Sequence, residues 1–292
     1  MRGTVLRGIG GFYTVMDESG AIHTLRAQKK IRRERMKPKV GDIVDMTPAT
    51  GDEDGWLHSI LPRRNELVRP PVANIDVIVL TAAAAAPEAD LMLMDRMLLA
   101  ARRFDIRAML VITKCELNRE GAQAIIDQYR GADVDAMMVS AHTGENIDLL
   151  REKLRGSVHA LAGQSGAGKS SLINALYRME LETGSLSEKI DRGKNTTRHS
   201  ELIPLEGGGM VLDTPGFSLL DSDLFDPVEL QESYPEFEKY LGECYFKPCY
   251  HATEPKCAVL DAVKTGEIDK ERHGRYVELL EEMKIRWRER YD

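Results

Sequence analysis

The segment that most constrains this chain is a glycine-rich octapeptide, Gly163-Gln-Ser-Gly-Ala-Gly-Lys-Ser170, between an apolar strand pattern (157–162) and a helical pattern (171–177). Its glycines allow the backbone to curl so that successive N–H groups point at a phosphate, and the positive end of the following helix adds to the attraction. Strand, loop and helix in this order predict a nucleoside triphosphate site rather than a structural turn. The residues predicted to bind the nucleotide here are Gly163, Gln164, Ser165, Gly166, Ala167, Gly168, Lys169, Ser170 and Ser171.

Several side chains are predicted to act on the phosphates. Lys169 would neutralise the β- and γ-phosphates, and the Ser170 hydroxyl would bind Mg²⁺. Asp213 ends an apolar strand and can hold Mg²⁺ through water, whereas the N–H of Gly216 can sense the γ-phosphate. A threonine hydroxyl in the polar segment 193–198 can close on the metal. The residues given these roles are Lys169, Ser170, Thr196, Thr197, Asp213 and Gly216.

The composition is that of a globular protein with more than one domain. With 292 residues, the chain is about twice as long as a typical single domain, so we expect two or three domains. The 42% hydrophobic and 30% charged residues exclude collagen, coiled coils and disorder. The longest apolar run, 77–86, is shorter than the roughly 18 residues of a membrane helix, and the N-terminus has no secretory pattern. We therefore expect a cytoplasmic protein without a membrane partner.

Short alternating runs predict a small antiparallel β-barrel over residues 1–65. Within it, segment 26–39 holds eight Lys and Arg residues and one Glu, although the whole chain has a net charge of −7. A solvated loop is one interpretation. We favour a nucleic-acid contact, because an acidic chain that concentrates cations on a barrel needs a partner for them. The runs are 3–7, 12–16, 22–26, 42–46 and 56–61.

From about residue 70, compact apolar strands alternate with helical patterns, which predicts βαβ units and a parallel sheet. After about residue 220 strands become scarce, and the tail 272–291 has the pattern of an amphipathic helix. The predicted division is a barrel (1–65), an α/β nucleotide domain (66–222) and a mainly helical domain (223–292). The predicted strands are 75–81, 107–113, 136–140, 157–162 and 210–213, and the helices between them are 91–104, 120–129, 145–154 and 171–177.

The spacing Cys244-x₄-Cys249-x-His251-x₅-Cys257 predicts a metal site near the C-terminus. Three thiolates and one imidazole supply the ligands of a closed tetrahedral Zn²⁺ site, and this soft, complete set favours a structural ion. Unpaired buried cysteines are the alternative. The fourth cysteine, Cys115, has no such neighbours along the chain.

Two strand ends that precede the octapeptide carry residues suited to guanine. A carboxylate accepts from both N1–H and the 2-amino group, which adenine lacks, while a lysine covers the ring and an alanine N–H binds O6. Strand 107–113 leads into Thr113-Lys-Cys-Glu-Leu117, and strand 136–140 leads into Ser140-Ala141. Ligands of α/β sheets collect at such carboxyl ends, so base recognition precedes phosphate binding in chain order. The residues predicted to contact the base are Thr113, Lys114, Glu116, Ser140 and Ala141.

This order resembles that of the circularly permuted GTPases, and the match is closest to the ribosome small-subunit-dependent GTPase A family. The resemblance covers nearly the whole chain, including Val40-Gly-Asp-Ile-Val44, Arg63-Arg-Asn-Glu-Leu-Val-Arg-Pro70 and Asn74-Ile-Asp76. It implies an OB-fold N-terminal domain that binds RNA, GTP hydrolysis stimulated by the small ribosomal subunit, and a role in late maturation of that subunit. It also implies a zinc-binding C-terminal domain. We expect a monomer.

The chain departs from the family pattern at two positions. Glu116 stands where similar proteins usually have Asp, and Asn195 stands where many have His. In addition, Phe217 occupies the place where many small GTPases have a water-orienting Gln, so we expect slow turnover without a partner. Two other functions stay open: an RNA-binding assembly adaptor with guanine nucleotide as a regulatory ligand, and an ATPase, which Lys114 and Glu116 disfavour.

Overall fold

The alternating N-terminal runs form a closed five-stranded barrel. The computed structural model describes residues 1–28, 31, 37–50, 54–68, 70–177, 200–213 and 226–290. The strands are β1 (Arg2–Ile9), β2 (Phe12–Asp17), β3 (Ile22–Ala27), β4 (Ile43–Thr47) and β5 (Gly55–Ile60). Their order is β1-β2-β3-β5-β4, and β4 pairs again with β1. The predicted barrel is confirmed, and its strands pair in antiparallel except at one place, because β5 lies between β3 and β4 and pairs with β3 in parallel.

The barrel is filled by one side chain in two along each strand, as the two-residue period of a strand requires. Val15, Leu25, Val44 and Leu57 are completely buried and pack together. Each such side chain contributes about 1.5–3 kcal/mol through removal of apolar surface from water. The barrel therefore has a core of its own.

The βαβ pattern folds into a six-stranded sheet, which confirms the α/β class. Its strands are β6 (Val77–Ala83), β7 (Arg107–Thr113), β8 (Asp135–Met138), β9 (Val158–Ala162), β10 (Glu201–Pro204) and β11 (Met210–Asp213). The order is β10-β11-β9-β6-β7-β8. All neighbours are parallel except β10, which pairs with β11 in an antiparallel hairpin. Strand β10 was not predicted, because only two of its four residues, Leu202 and Ile203, are apolar and they do not form a strand pattern.

Helices cover both faces of the sheet. They are α1 (Leu91–Arg103), α2 (Arg119–Gln128), α3 (Ile147–Leu154) and α4 (Lys169–Tyr177). Ile78 and Leu80 of β6 share one buried cluster with α1, whereas Val77 and Val79 share another with α3 and α4. Because β6 is buried on both faces, its apolar run is continuous rather than alternating. This arrangement leaves the carboxyl ends of the parallel strands open at one edge.

The C-terminal region is helical in its described part. Two 3-10 helices (Pro227–Ser233 and Pro235–Tyr240) precede α5 (Ala258–Thr265) and α6 (Lys270–Glu289). Phe237, Tyr276 and Leu280 are buried in its core, which Leu99 of α1 also enters. Within the described chain, no helix is both long and apolar enough to cross a bilayer. The domain boundaries at 65 and 222 stay a prediction.

Candidate nucleotide and metal sites

The glycine-rich octapeptide forms the loop that joins β9 to α4. Gly163 has φ 142°, and a Cβ at this position would lie 2.2 Å from the carbonyl oxygen of Thr81 on the adjacent strand. Gly166 and Gly168 have φ 78° and 85°, the left-handed region that glycine adopts without strain. The path of the loop therefore depends on these three glycines, as the sequence indicates.

Lys169 folds back over the loop from the first turn of α4. Its ammonium donates to the carbonyl oxygens of Gly163 (2.8 Å) and Gln164 (2.6 Å). Burial lowers the pKa of Lys169, since the charged form is poorly solvated there. A phosphate beside this ammonium would restore a full counter-charge. Ser170 is half-buried next to it and Ser171 is exposed.

The end of β7 touches the same loop, although it lies far away in sequence. The Thr113 hydroxyl donates to the carbonyl oxygen of Ala167 at 2.6 Å, and the Lys114 ammonium donates to that of Gly166 at 2.9 Å. Lys114 has φ 56°, a left-handed conformation that costs a non-glycine residue energy and is concentrated at functional sites. The structure thus brings the predicted base segment against the predicted phosphate loop.

The second predicted base segment follows β8. Ser140 is fully buried, and its hydroxyl accepts from the N–H of Thr143 at 3.0 Å. Ala141 is half-buried beside it. The N–H of Cys115 donates to the carbonyl oxygen of Val139, which joins the two base segments, and Glu116 is exposed beside Cys115. An exposed carboxylate at the sheet edge is accessible to a ligand.

The remaining phosphate-site predictions fall at or beyond the limits of the described chain. Asp213 ends β11, next to β9, but its side chain lies outside the described residues. The other residues lie entirely outside the described part of the chain. They are Thr196, Thr197 and Gly216, together with Asn195, His199 and Phe217. Their roles stay predictions.

The sequence analysis assigned Gln164 to the nucleotide, but the structure shows a second set of contacts. Its side-chain amide accepts from the N–H of Asp90 (2.5 Å) and donates to the carbonyl oxygen of Glu88 (2.6 Å). Asp90 caps the N-terminus of α1 by accepting from the N–H of Leu93. Gln164 therefore links the phosphate loop to the start of α1.

The predicted metal ligands converge. The ligand atoms of Cys244, Cys249, His251 and Cys257 all lie within 4.8 Å of one another, and all four side chains are buried. The sulfur atoms of Cys244 and Cys257 are 3.7 Å apart, and His251 Nδ1 is 3.3 Å from Cys257 Sγ. A tetrahedral ion with Zn–S bonds of about 2.3 Å needs sulfur atoms about 3.8 Å apart, so the cluster fits Zn²⁺.

The surroundings of the cluster support a metal. His251 Nε2 lies 2.6 Å from the side-chain oxygen of Gln231, which fixes the ring and leaves Nδ1 facing the sulfur atoms. Burial raises the pKa of the Cys249 and Cys257 thiols, so an ion bound there displaces protons. Gln231 was not predicted, because a glutamine 20 residues from the histidine carries no local signal.

Buried charges join α1 to the C-terminal region. Asp95 accepts hydrogen bonds from Arg272 and Arg275 of α6, each at 2.5 Å, and Asp95 and Arg272 are almost completely buried. Arg272 also donates to Glu236, and its guanidinium lies 4.9 Å from the ring centre of Tyr234. Breaking such a pair leaves an uncompensated buried charge. The sequence analysis did not find this network.

Comparison with known protein families covers most of the chain. A family model described as RsgA GTPase matches residues 60–223, and one described as RsgA N-terminal domain matches residues 2–57. A protein of Caldanaerobacter subterraneus named small ribosomal subunit biogenesis GTPase RsgA is 41% identical over 100% of this chain and 98% of its own length. A protein of the same name from Geobacillus thermodenitrificans is also 41% identical, over 97% of this chain and 98% of its own.

Solved structures agree with the fold. YjeQ from Thermotoga maritima superposes with a TM-score of 0.82 and 33% identity, over 97% of this chain and 98% of its own. YloQ, described as a circularly permuted GTPase, gives a TM-score of 0.79 and 34% identity, over 98% of this chain and 95% of its own. The motif order deduced from the sequence is thus also found in a solved relative.

Proposed function

The chain belongs to the RsgA GTPase family, and on this premise we propose that it hydrolyses GTP in late maturation of the small ribosomal subunit, which stimulates the reaction. It is a GTPase, a hydrolase that acts on GTP, and its relatives are named for biogenesis of that subunit. The proposed contacts with rRNA are made by the barrel and the zinc region. The protein acts in the cytoplasm as a monomer.

One observation carries the proposal: the end of β7 lies on the phosphate loop. Because Thr113 and Lys114 bond to the carbonyl oxygens of Ala167 and Gly166, a nucleotide held by the loop has the base segment beside it. If the base were bound in a cleft away from the loop, Thr113 and Lys114 would not contact the loop. Their position at the carboxyl edge of a parallel sheet is where such ligands bind.

The residues take the following proposed roles. Lys169 neutralises the β- and γ-phosphates, Ser170 holds Mg²⁺, and Asp213 holds the same ion through water. Glu116 accepts from the guanine N1–H and 2-amino group. These assignments are supported by the loop geometry, the sheet position and the guanine hydrogen-bonding pattern. The residues that complete the site in this proposal are Thr113, Lys114, Ser140, Ala141, Gly163, Gln164, Ser165, Gly166, Ala167, Gly168, Ser171, Thr196, Thr197 and Gly216.

The proposed metal complement is Mg²⁺ with the nucleotide and one structural Zn²⁺. Cys244, Cys249, His251 and Cys257 offer four buried donors, which leaves no position for a catalytic water. The zinc region is therefore proposed to present a surface rather than to take part in hydrolysis. Mg²⁺ supplies charge neutralisation at the β- and γ-phosphates.

Turnover with and without small ribosomal subunits tests the proposal. Because Phe217 cannot orient water, we expect slow phosphate release from the protein alone and strong acceleration by subunits. The subunit-stimulated rate of GTP hydrolysis should fall about 10²–10³-fold in the Lys169→Ala variant. It should be unchanged in Lys153→Ala, which removes a lysine on the surface helix α3. Fast turnover alone, or no response to subunits, would contradict the proposal. Tight subunit binding without turnover would favour the adaptor function.

A further inference from the structure

One row of side chains crosses four neighbouring strands on the outside of the barrel. Ile9 of β1 pairs with Phe12 of β2, and Phe12 pairs with Arg26 of β3. Arg26 pairs in turn with Trp56 of β5. Paired residues point to the same face of a sheet, and the residues that flank this row in β3 and β5 are buried inside the barrel. Ile9, Phe12, Arg26 and Trp56 are called the outer row below.

The outer row exposes apolar surface that the barrel does not need for folding. The exposed fractions are 38% for Ile9, 45% for Phe12 and 38% for Trp56. The barrel already has a filled core, and these side chains are not part of it. Single exposed apolar residues are ordinary, but here three of them lie in one row across adjacent strands, with the Arg26 guanidinium between two of them.

One aromatic member of the outer row, Phe12, lies against a cation. The Arg26 guanidinium lies 4.8 Å from the centre of the Phe12 ring, and it also pairs with Asp54 at 3.2 Å. The Arg26 guanidinium is planar, so it can stack on a flat group while it pairs with Asp54. Phe12, Arg26 and Trp56 thus present planar groups side by side on adjacent strands.

Charge indicates what kind of partner this surface takes. Residues 1–65 contain twelve Lys and Arg and eight Asp and Glu, a net charge of +4 in a chain whose total is −7. The net positive charge of this region therefore attracts a polyanion to the barrel. Among polyanions, only those with unpaired bases offer flat apolar faces to aromatic rings, because a duplex hides its bases in the stack.

We propose that the outer row is a stacking platform for unpaired bases of single-stranded RNA. The source of that RNA, an unpaired segment of rRNA, rests on the proposed function. The outer row adds to that function the residues that bind the RNA and the way in which they bind it. Strands β2 and β3 of an OB-fold barrel form a face suited to oligonucleotides, and three of the four outer-row residues lie on these strands or on β5 beside them. The net positive charge of residues 1–65 supplies sequence-independent attraction, and the outer row supplies preference for single strands.

A pair of variants tests the platform directly. Phe12→Leu with Trp56→Leu keeps apolar surface but removes both aromatic faces, whereas Phe12→Tyr with Trp56→Phe keeps the faces. Fluorescence anisotropy measures binding of a labelled single-stranded RNA of about twelve nucleotides and of the matching duplex, at one fixed salt concentration. We expect the leucine pair to bind the single strand about 10–100-fold more weakly, since a stacked base contributes about 1–3 kcal/mol. The tyrosine–phenylalanine pair and Ile22→Ala, an exposed residue of β3 outside the row, should bind like the wild type.

A spectroscopic readout separates stacking from a merely structural role. The chain has two tryptophans, Trp56 and Trp287, so Trp287→Phe leaves Trp56 as the single reporter. We expect single-stranded RNA to quench its emission and the duplex to leave it unchanged. Unfolding midpoints and basal GTP turnover of each variant show that the fold is intact.

Some results would overturn the platform without touching the proposed function. Unchanged single-strand affinity in the leucine pair would do so, as would equal losses for single strand and duplex, which would show that the aromatic rings do not select unpaired bases. If the leucine pair bound RNA normally but no longer bound the small subunit, the outer row would contact a protein instead of RNA. If subunits fail to stimulate the wild-type enzyme, the proposed function fails, and the oligonucleotide assay still decides the platform.

Discussion

The nucleotide edge and the C-terminal region are built from different parts of the polypeptide. At the nucleotide edge, the contacts are made mainly to backbone groups. Gly163 allows close approach to the carbonyl oxygen of Thr81, and the ammonium groups of Lys114 and Lys169 donate to backbone carbonyl oxygens of the loop. In the C-terminal region, side chains make the defining contacts, through four buried residues that could hold a metal ion and through buried ion pairs. The first kind of site requires a sheet to position strand ends, whereas the second requires side chains of complementary chemistry.

Helix α1 connects the two regions. At its start, Asp90 is held by Gln164 of the phosphate loop, and within it Asp95 holds Arg272 and Arg275 of α6. The regions are thus joined by a few polar contacts and by the packing of Leu99. This arrangement predicts that each region can be damaged separately, and the following changes test that independence.

Loss of the metal should have the largest effect. Cys249→Ser removes one of four ligands, and a structural Zn²⁺ contributes about 10–16 kcal/mol to the folding of small metal domains at neutral pH. We expect loss of bound zinc and of ordered structure in residues 226–290, measured by elemental analysis and hydrogen exchange. GDP affinity should stay within about threefold, a change smaller than 1 kcal/mol.

The matched control is Cys115→Ser, which changes a buried cysteine of the α/β domain that is not part of the metal cluster. It should keep the zinc content. If Cys249→Ser abolished nucleotide binding as well, the two regions would not be independent.

Removal of the buried carboxylate at the junction should have the next largest effect. Asp95→Ala leaves the buried Arg272 with Glu236 alone, which costs about 3–5 kcal/mol. Glu282→Ala is the matched change, since its partner Arg96 lies on the same pair of helices but the ion pair is partly exposed, and it should cost less than about 1 kcal/mol. Urea titration followed by Trp287 fluorescence in a Trp56→Phe background compares them. Equal costs would show that burial of the Asp95 network does not stabilise the junction.

A buried histidine in the strand before the phosphate loop makes the stability of the fold depend on pH. His159 of β9 is completely buried, bonds to the Tyr177 hydroxyl at 2.6 Å, and has a pKa lowered by burial to about 4. Between pH 4 and the ordinary value of about 6.5, the unfolded chain binds a proton that the folded chain does not, so stability rises with pH. The gain is about 3 kcal/mol over this interval.

His159→Phe should remove about 3 kcal/mol of the difference in unfolding free energy between pH 6.5 and pH 4. Urea titrations at the two pH values measure that difference, and His142→Gln, a change at an exposed histidine, is the control. A difference of the same size in wild type and His159→Phe would refute the assignment of the pH dependence to this residue.

The sequence predicted those features that are determined by residues close together along the chain. Glycines at 163, 166 and 168, a strand before them and a helix after them define the phosphate loop without further information. The three cysteines and His251 define the metal cluster in the same way. The contact of segment 113–116 with the phosphate loop could be anticipated because a strand end has a known place in a parallel sheet, and its role in binding the base stays a prediction.

Long-range pairings were not predictable. Asp95 and Arg272 are 177 residues apart, and neither lies in a recognisable motif. The parallel pairing of β3 with β5 depends on where β4 lies, which no single run of residues determines. Gln231 and Gln164 likewise bond to groups that only the fold brings near.

The central claim is that one nucleotide contacts both the segment 113–116 and the loop 163–170. Calorimetric titration of GTP and ATP into the wild type and into Glu116→Gln tests it, since Gln keeps the size of the side chain but can no longer accept both guanine donors. We expect the wild type to prefer GTP about 10²-fold, because charged hydrogen bonds contribute about 1.5–3 kcal/mol each, and the variant to lose most of that preference. Equal affinities for GTP and ATP, or a preference unchanged by the variant, would contradict the claim.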